Sequence, residues 1–180
     1  SIAFAIIAAT LVHTYVMQPY TIPTSSLEKT LLVGDYLFVS KFHYGARVPT
    51  TTIATPMLHD SLPTSFLSGK NIKSYVNKPL LPYLRIPGFQ KIKRNDIVVF
   101  NWPVDTLVHW MDPSKGADFK PLDKKTNYVK RCVGIAGDTL EVRDGYVYIN
   151  GKQNILPDRA KLQFYNKVYS SKGLSTQKLL

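Results

Sequence analysis

Thr139-Leu140-Glu141-Val142-Arg143-Asp144-Gly145-Tyr146-Val147-Tyr148-Ile149 alternates polar and apolar side chains about Asp144-Gly145, and its reading decides the fold class. Alternation with a period of two puts successive side chains on opposite faces of a strand, and Asp-Gly tolerates the positive φ angles of a tight hairpin turn. Working outward, Asn150-Gly151 marks a further turn, and Tyr128–Ile135, Asp96–Trp102 (DIVVFNW) and Val33–Phe42 are rich enough in β-branched and aromatic residues to be strands. Pro49–Pro87 is rich in Pro, Ser, Thr and Asn with weak periodicity, and is expected to be an insertion in the sheet, at about residues 49–90. These signals predict a mostly β chain with a β-rich core over residues 21–151. Residues 152–180 carry no clear element and read as the cut-off start of a second subdomain or insertion, and no internal repeat is present.

The first 27 residues contain no Asp, Glu, Lys or Arg. Ser1–Met17 (SIAFAIIAATLVHTYVM) is apolar over most of a bilayer span, for which about 20 residues are needed. Tyr15 and Tyr20 are placed as interfacial aromatics, and Pro19 is expected to stop the helix. Residues 1–20 are therefore read as a membrane anchor, cut at its start, in preference to a buried core helix or a secretory signal, which would begin with basic residues.

The chain has 180 residues and a formal net charge of +11, which calls for an anionic partner, either lipid headgroups or nucleic acid. Its basic residues, Lys73, Lys91, Lys93, Arg94, Lys124 and Lys125 among them, are scattered through loops with no nucleic-acid-binding motif. A lipid surface is the expected partner and nucleic acid is not. The single cysteine, Cys132, excludes an internal disulfide and is expected to be a small buried core residue. His13, His43, His59 and His109 show no metal-ligand spacing, so neither a metal nor a cofactor is expected. A triad built on His109 and Asp105 lacks a nucleophile-elbow motif.

Ser26 in Ile22-Pro23-Thr24-Ser25-Ser26-Leu27 follows the apolar stretch, and Lys130 lies in Tyr128-Val129-Lys130-Arg131-Cys132-Val133-Gly134. A serine hydroxyl needs a base at hydrogen-bond distance to become a nucleophile. A lysine serves as that base only when neutral, and burial against apolar surface disfavours the ammonium. The flanks Tyr128, Val129, Cys132 and Val133 predict a dry strand around Lys130. Taken singly, Ser26 would be a turn or cap serine and Lys130 a solvated strand charge.

Together these segments resemble the type I signal peptidases, serine proteases with a lysine base. The resemblance rests on Ile22–Gly45, Lys93–Asp105 (KRNDIVVFNWPVD) and Asn127–Asp138 (NYVKRCVGIAGD), which occur in the family's order. It implies a fold of coiled antiparallel sheets that binds substrate as an extended strand. It assigns the nucleophile to Ser26, the base to Lys130, and the oxyanion donors to the backbone N–H of Ser26 and the hydroxyl of Thr24. Leu27 stands where the family usually has methionine, a swap of similar volume. The family's last motif, a Gly-Asp-Asn-Arg stretch, is absent, so the chain reads as a fragment of a longer enzyme.

The resemblance further implies a membrane-bound endopeptidase that cleaves signal peptides from exported preproteins, with its anchor in the plasma or inner membrane and its catalytic domain on the export side. Two other readings compete with this one. A membrane-tethered β-domain could keep the fold without catalysis, and a soluble serine-lysine self-cleaving regulator would need a DNA-binding domain where this chain has an apolar helix.

Overall fold

The computed structural model describes residues 1–62, 72–106, 114, 116–167, 169 and 171. Among them the chain is mostly β, with one N-terminal helix and small antiparallel sheets. Helix α1 spans Ile2–Leu11 and runs on as a five-residue π-helical turn, Val12–Val16. No residue of either segment is buried; Ile2 is 80% exposed and Phe4 73%.

The helix ends at Val16, short of Pro19, and strand β1, Met17–Thr21, takes over with Pro19 inside it. Two causes explain this correction to the expected end of the anchor segment. A proline removes its own N–H and its ring clashes with the carbonyl four residues back, here that of Tyr15. Residues 17–21 are then free to pair antiparallel with β2, Tyr36–Ser40, in the register Met17 to Ser40 and Thr21 to Tyr36. No helix among the described residues is long and apolar enough to cross a membrane.

Strand β3, Ile97–Asn101, pairs antiparallel with β4, Asn127–Arg131, placing Lys130 opposite Val98. Both strands fall where the β-branched runs predicted them. The β4 pairing, however, stops at Arg131, ahead of the expected end at Ile135. Cys132 N–H still donates to Asp96 O at 2.8 Å, after which Gly134 and the Ile135–Asp138 turn lead the chain away. Strands β5, Leu140–Arg143, and β6, Tyr146–Ile149, form the predicted hairpin. Its turn residues Asp144 and Gly145 have φ of 50° and 81°, the left-handed pair that such a turn requires. Strand β7, Lys152–Gln153, adds to β6.

Between β2 and β3 the chain makes a long irregular arm. Its two limbs are joined by isolated antiparallel bridges, Arg47 to Arg85, Thr51 to Leu80, Ala54 to Tyr75 and Ser61 to Lys73. At the base Gly45 and Gly88 lie back to back. A Cβ on Gly45 would meet Ile86 O at 2.1 Å, and one on Gly88 would meet Gly45 N at 2.4 Å. Only glycine lets the backbones approach this closely.

The core is thin. Among the described residues Ile22, Ala46, Tyr75 and Ile149 are its buried apolar side chains, whereas Tyr36 and Phe38 on one face of β2 are 85% and 76% exposed.

Candidate active site

Ser26 sits in a single 3-10 turn, Ser25–Leu27, that follows the extended residue Thr24. The turn is closed by Glu28 N–H to Ser25 O at 2.9 Å and Thr30 N–H to Leu27 O at 3.0 Å. Lys29 beyond it takes φ of 71°, which swings the chain back toward β2. Upstream, Ile22 is buried and its backbone is held on both sides, by its own N–H to Asp35 O and by Gly34 N–H to Ile22 O, each at 2.9 Å.

Lys130 comes from β4, 104 positions further along the chain, and its Nζ donates to Ser26 Oγ at 2.7 Å. The two residues singled out from the sequence are thus in contact. In the neutral amine the same contact would run from the hydroxyl to the nitrogen, the direction in which a base draws the proton. Thr24, proposed as an oxyanion donor, is exposed beside the turn, and its hydroxyl makes no capping bond.

The dry environment expected around Lys130 is not what the structure shows. Lys130 is exposed, while Tyr128, Val129 and Arg131 are half-buried. The reason is architectural: β3 and β4 form a sheet of two strands, so no further strand shields the lysine from the sides. Cys132 is likewise half-buried where a buried core residue was expected, and its thiol donates to Gly134 O at 3.2 Å.

Several residues that frame the pair were not assigned from the sequence. Arg131, next to Lys130 and pointing to the other face of β4, donates to Thr30 Oγ1 at 2.9 Å and to Asn95 O at 2.9 Å. It thereby ties the turn that carries Ser26 to the strand that carries Lys130. On the upstream side Asn127 Nδ2 donates to Tyr20 OH at 3.0 Å, joining β4 to β1. Burial pushes the Tyr20 phenol up to about 12, against a smaller downward pull from Arg47, so it stays a neutral hydroxyl. The chain beyond β7 closes the far side. Gln163 Nε2 donates to Ser25 O at 2.8 Å, and Thr30 Oγ1 donates to Arg159 O at 3.0 Å. The adjacency of Arg131 to Lys130 was the one sequence signal for this frame.

A cavity of about 360 Å³ opens beside Ser26, lined by Leu27, Arg131, Val133, Tyr146 and Leu162 among others. Its apolar walls suit aliphatic side chains of an extended peptide.

The competing triad finds no support in the placement of its carboxylate. Asp105 Oδ2 accepts from both the N–H and the hydroxyl of Thr126 at 2.7 Å. Burial raises its pKa, but those two bonds and Lys120 outweigh it and hold the carboxyl below its ordinary value. His109 lies outside the described residues. Among the described residues no group of His, Cys, Asp and Glu is placed to hold a metal ion.

The chain matches the family described as signal peptidase, peptidase S26, over residues 1–177. Among curated proteins it is similar to signal peptidase I of Rickettsia felis, with 28% identity over 159 residues, covering 85% of this chain and 42% of the relative. Signal peptidase I of Rickettsia rickettsii is 29% identical over 159 residues, and that of Rickettsia prowazekii 29% over 154, with the same coverage of 85% and 42%. The chain thus spans less than half the length of the curated relatives it matches. No solved structure matches it.

Proposed function

Because the chain belongs to the signal peptidase family, peptidase S26, we propose that it is the nucleophile- and base-bearing part of a membrane-associated serine endopeptidase that removes signal peptides from exported preproteins. The observation that carries the reading is the 2.7 Å contact between Ser26 Oγ and Lys130 Nζ.

In this mechanism neutral Lys130 takes the Ser26 proton as Oγ attacks the scissile carbonyl carbon. The carbonyl electron pair moves onto oxygen, where the Ser26 N–H and the Thr24 hydroxyl stabilise it. Lys130 then gives its proton to the leaving amine as the C–N bond breaks. Water attacks the ester, passes a proton to Lys130, and Ser26 Oγ departs with that proton.

The exposure of Lys130 has a role here. An extended substrate lying across the turn and β4 would cover the lysine and exclude water, so the base becomes dry only when occupied. The all-round apolar, unburied α1 supports attachment to the bilayer at the N-terminal end of the chain. At 1.5 Å per residue its helical part reaches roughly 20 Å into a hydrocarbon core of about 30 Å. The catalytic part then sits on the export side, where preproteins emerge.

The same exposure of Lys130 favours the alternative, a tethered β-domain without catalysis. One experiment separates the two. In the full-length enzyme, Ser26→Ala and Lys130→Ala should each abolish preprotein cleavage without lowering the melting temperature, and the double variant should be hardly worse than either single one. Cleavage that persists in folded Lys130→Ala would remove the lysine from the mechanism.

A further inference from the structure

Basic residues far apart in the sequence come together at a second cavity, of about 600 Å³. Lys41, Arg47, Arg85 and Lys124 all line it, with Asp123 as the one carboxylate among its lining residues. That carboxylate is already engaged, accepting from the hydroxyls of Thr50 and Thr51. The cations have only neutral acceptors. Lys41 Nζ donates to Gln18 Oε1 at 2.7 Å, Arg47 to Asn101 Oδ1, Arg85 to Tyr44 O at 3.1 Å and Lys124 Nζ to Leu58 O at 3.3 Å. Among the described residues none of the four forms an ion pair.

Lys124 is buried and Lys41 and Arg47 are half-buried, while Arg85 stands exposed. Placing cations side by side out of water is unfavourable unless an anion joins them. Burial pulls the pKa values of Lys41, Arg47 and Lys124 down; the repulsion of Lys41 by Arg47, and of Arg47 by Arg85, adds to it, while Asp123 offsets part of it at Arg47 and Asp123 with Asp60 part of it at Lys124. A guanidinium fork beside ammonium groups is the donor set that suits a phosphate.

The surroundings identify where the phosphate would come from. The same cavity is bordered by Thr10 and His13 at the foot of the unburied apolar helix α1, and by Val39, Met57 and Phe100 as apolar wall. We propose that this cavity receives the phosphodiester headgroup of an anionic phospholipid, whose acyl chains run along α1. The proposal rests on the reading that α1 enters a bilayer.

The test uses the full-length protein with sedimented vesicles of phosphatidylcholine, alone or mixed with phosphatidylglycerol. Binding should favour the mixed vesicles. Arg47→Gln with Lys124→Gln should lower affinity for them on the order of tenfold, whereas Lys91→Gln with Lys152→Gln, equal in charge but outside the cavity, should change it less than about twofold. If the cavity pair fails to fold, the exposed Arg85→Gln carries the comparison against Lys91→Gln alone. Equal losses from cavity and surface variants would overturn the site and leave only bulk charge. Binding to both vesicle types without preference would overturn the site while sparing the membrane reading, and binding to neither would overturn both. A second arm raises the melting temperature with dihexanoyl phosphatidylglycerol below its micelle concentration. The wild type should respond and Arg47→Gln should not; an equal response of the wild type to inorganic phosphate would overturn the lipid assignment.

Discussion

Ser26 and Lys130 meet because short side-chain bonds fix the backbones on either side of them, and Arg131 makes two of those bonds. The guanidinium is half-buried and holds both Thr30 Oγ1 and Asn95 O, so its removal leaves two acceptors without their charged donor. Arg131→Met should therefore destabilise the fold by about 1–3 kcal/mol and lower kcat for a signal-peptide substrate more than it changes KM. Chemical denaturation and steady-state kinetics of the full-length enzyme check both parts. Thr24→Val should act differently, costing on the order of 10²-fold in kcat with no loss of stability, since the hydroxyl caps nothing in the resting protein. Ser26 and Lys130 could be singled out together in the sequence because each sits in a distinctive local run, and the structure brings them into contact. Thr30, Tyr20 and Asn127 were not, because a single threonine, tyrosine or asparagine gains its role only from a partner about 100 residues away.

At the scale of elements, what could be read was what depends on neighbours in the chain. The Asp144-Gly145 hairpin and the Val-Ile runs of β3 and β4 declare themselves through turn chemistry and branching. Strand β1 did not, since Pro19 and the preceding apolar run both argue for the end of a helix, and only pairing with β2 makes Met17–Thr21 extended. The arm was seen as irregular but not as two paired limbs, for its bridges are isolated and join residues up to 38 positions apart. Its base can be tested at Gly88. A methyl there would press on Gly45 N, His43 O and Tyr44 C at 2.4–2.5 Å, all of them backbone atoms that cannot turn aside. Gly88→Ala should cost about 1–3 kcal/mol, seen as a lower denaturant midpoint, with the β5–β6 hairpin amides keeping their exchange protection.

For the molecule as a whole, several carboxylates are held below their ordinary pKa by specific partners. The Arg94 guanidinium and the Ile135 N–H do this for Asp138, the Tyr44 hydroxyl and the Lys93 N–H for Asp96, and the Arg143 guanidinium for Glu141. A carboxyl with a lowered folded-state pKa favours the fold above its unfolded value and loses that contribution as pH falls toward the folded one. Stability should thus fall slightly below pH ~6.5, where the unfolded chain protonates His59 before the folded one, whose imidazole pKa is lowered by burial and Lys124, and fall more steeply below pH ~4, where unfolded carboxylates take up protons. Melting temperatures measured from pH 7 to pH 3 check this, and Asp138→Asn should flatten the acid limb.

The contact between Gly45 and Gly88 has a consequence for how such a chain can vary. Because the arm leaves and rejoins the sheets at one point, with Ile86 N–H on Ala46 O at 2.8 Å closing its neck, its length is decoupled from the spacing between Ser26 and Lys130. Residues can be gained or lost at its tip without shifting the register of β1 with β2 or of β3 with β4, as the ends to be joined are already in touch. The arm is in that sense a graft: its outer part is free to drift in size and composition while Ser26 and Lys130 stay where they are.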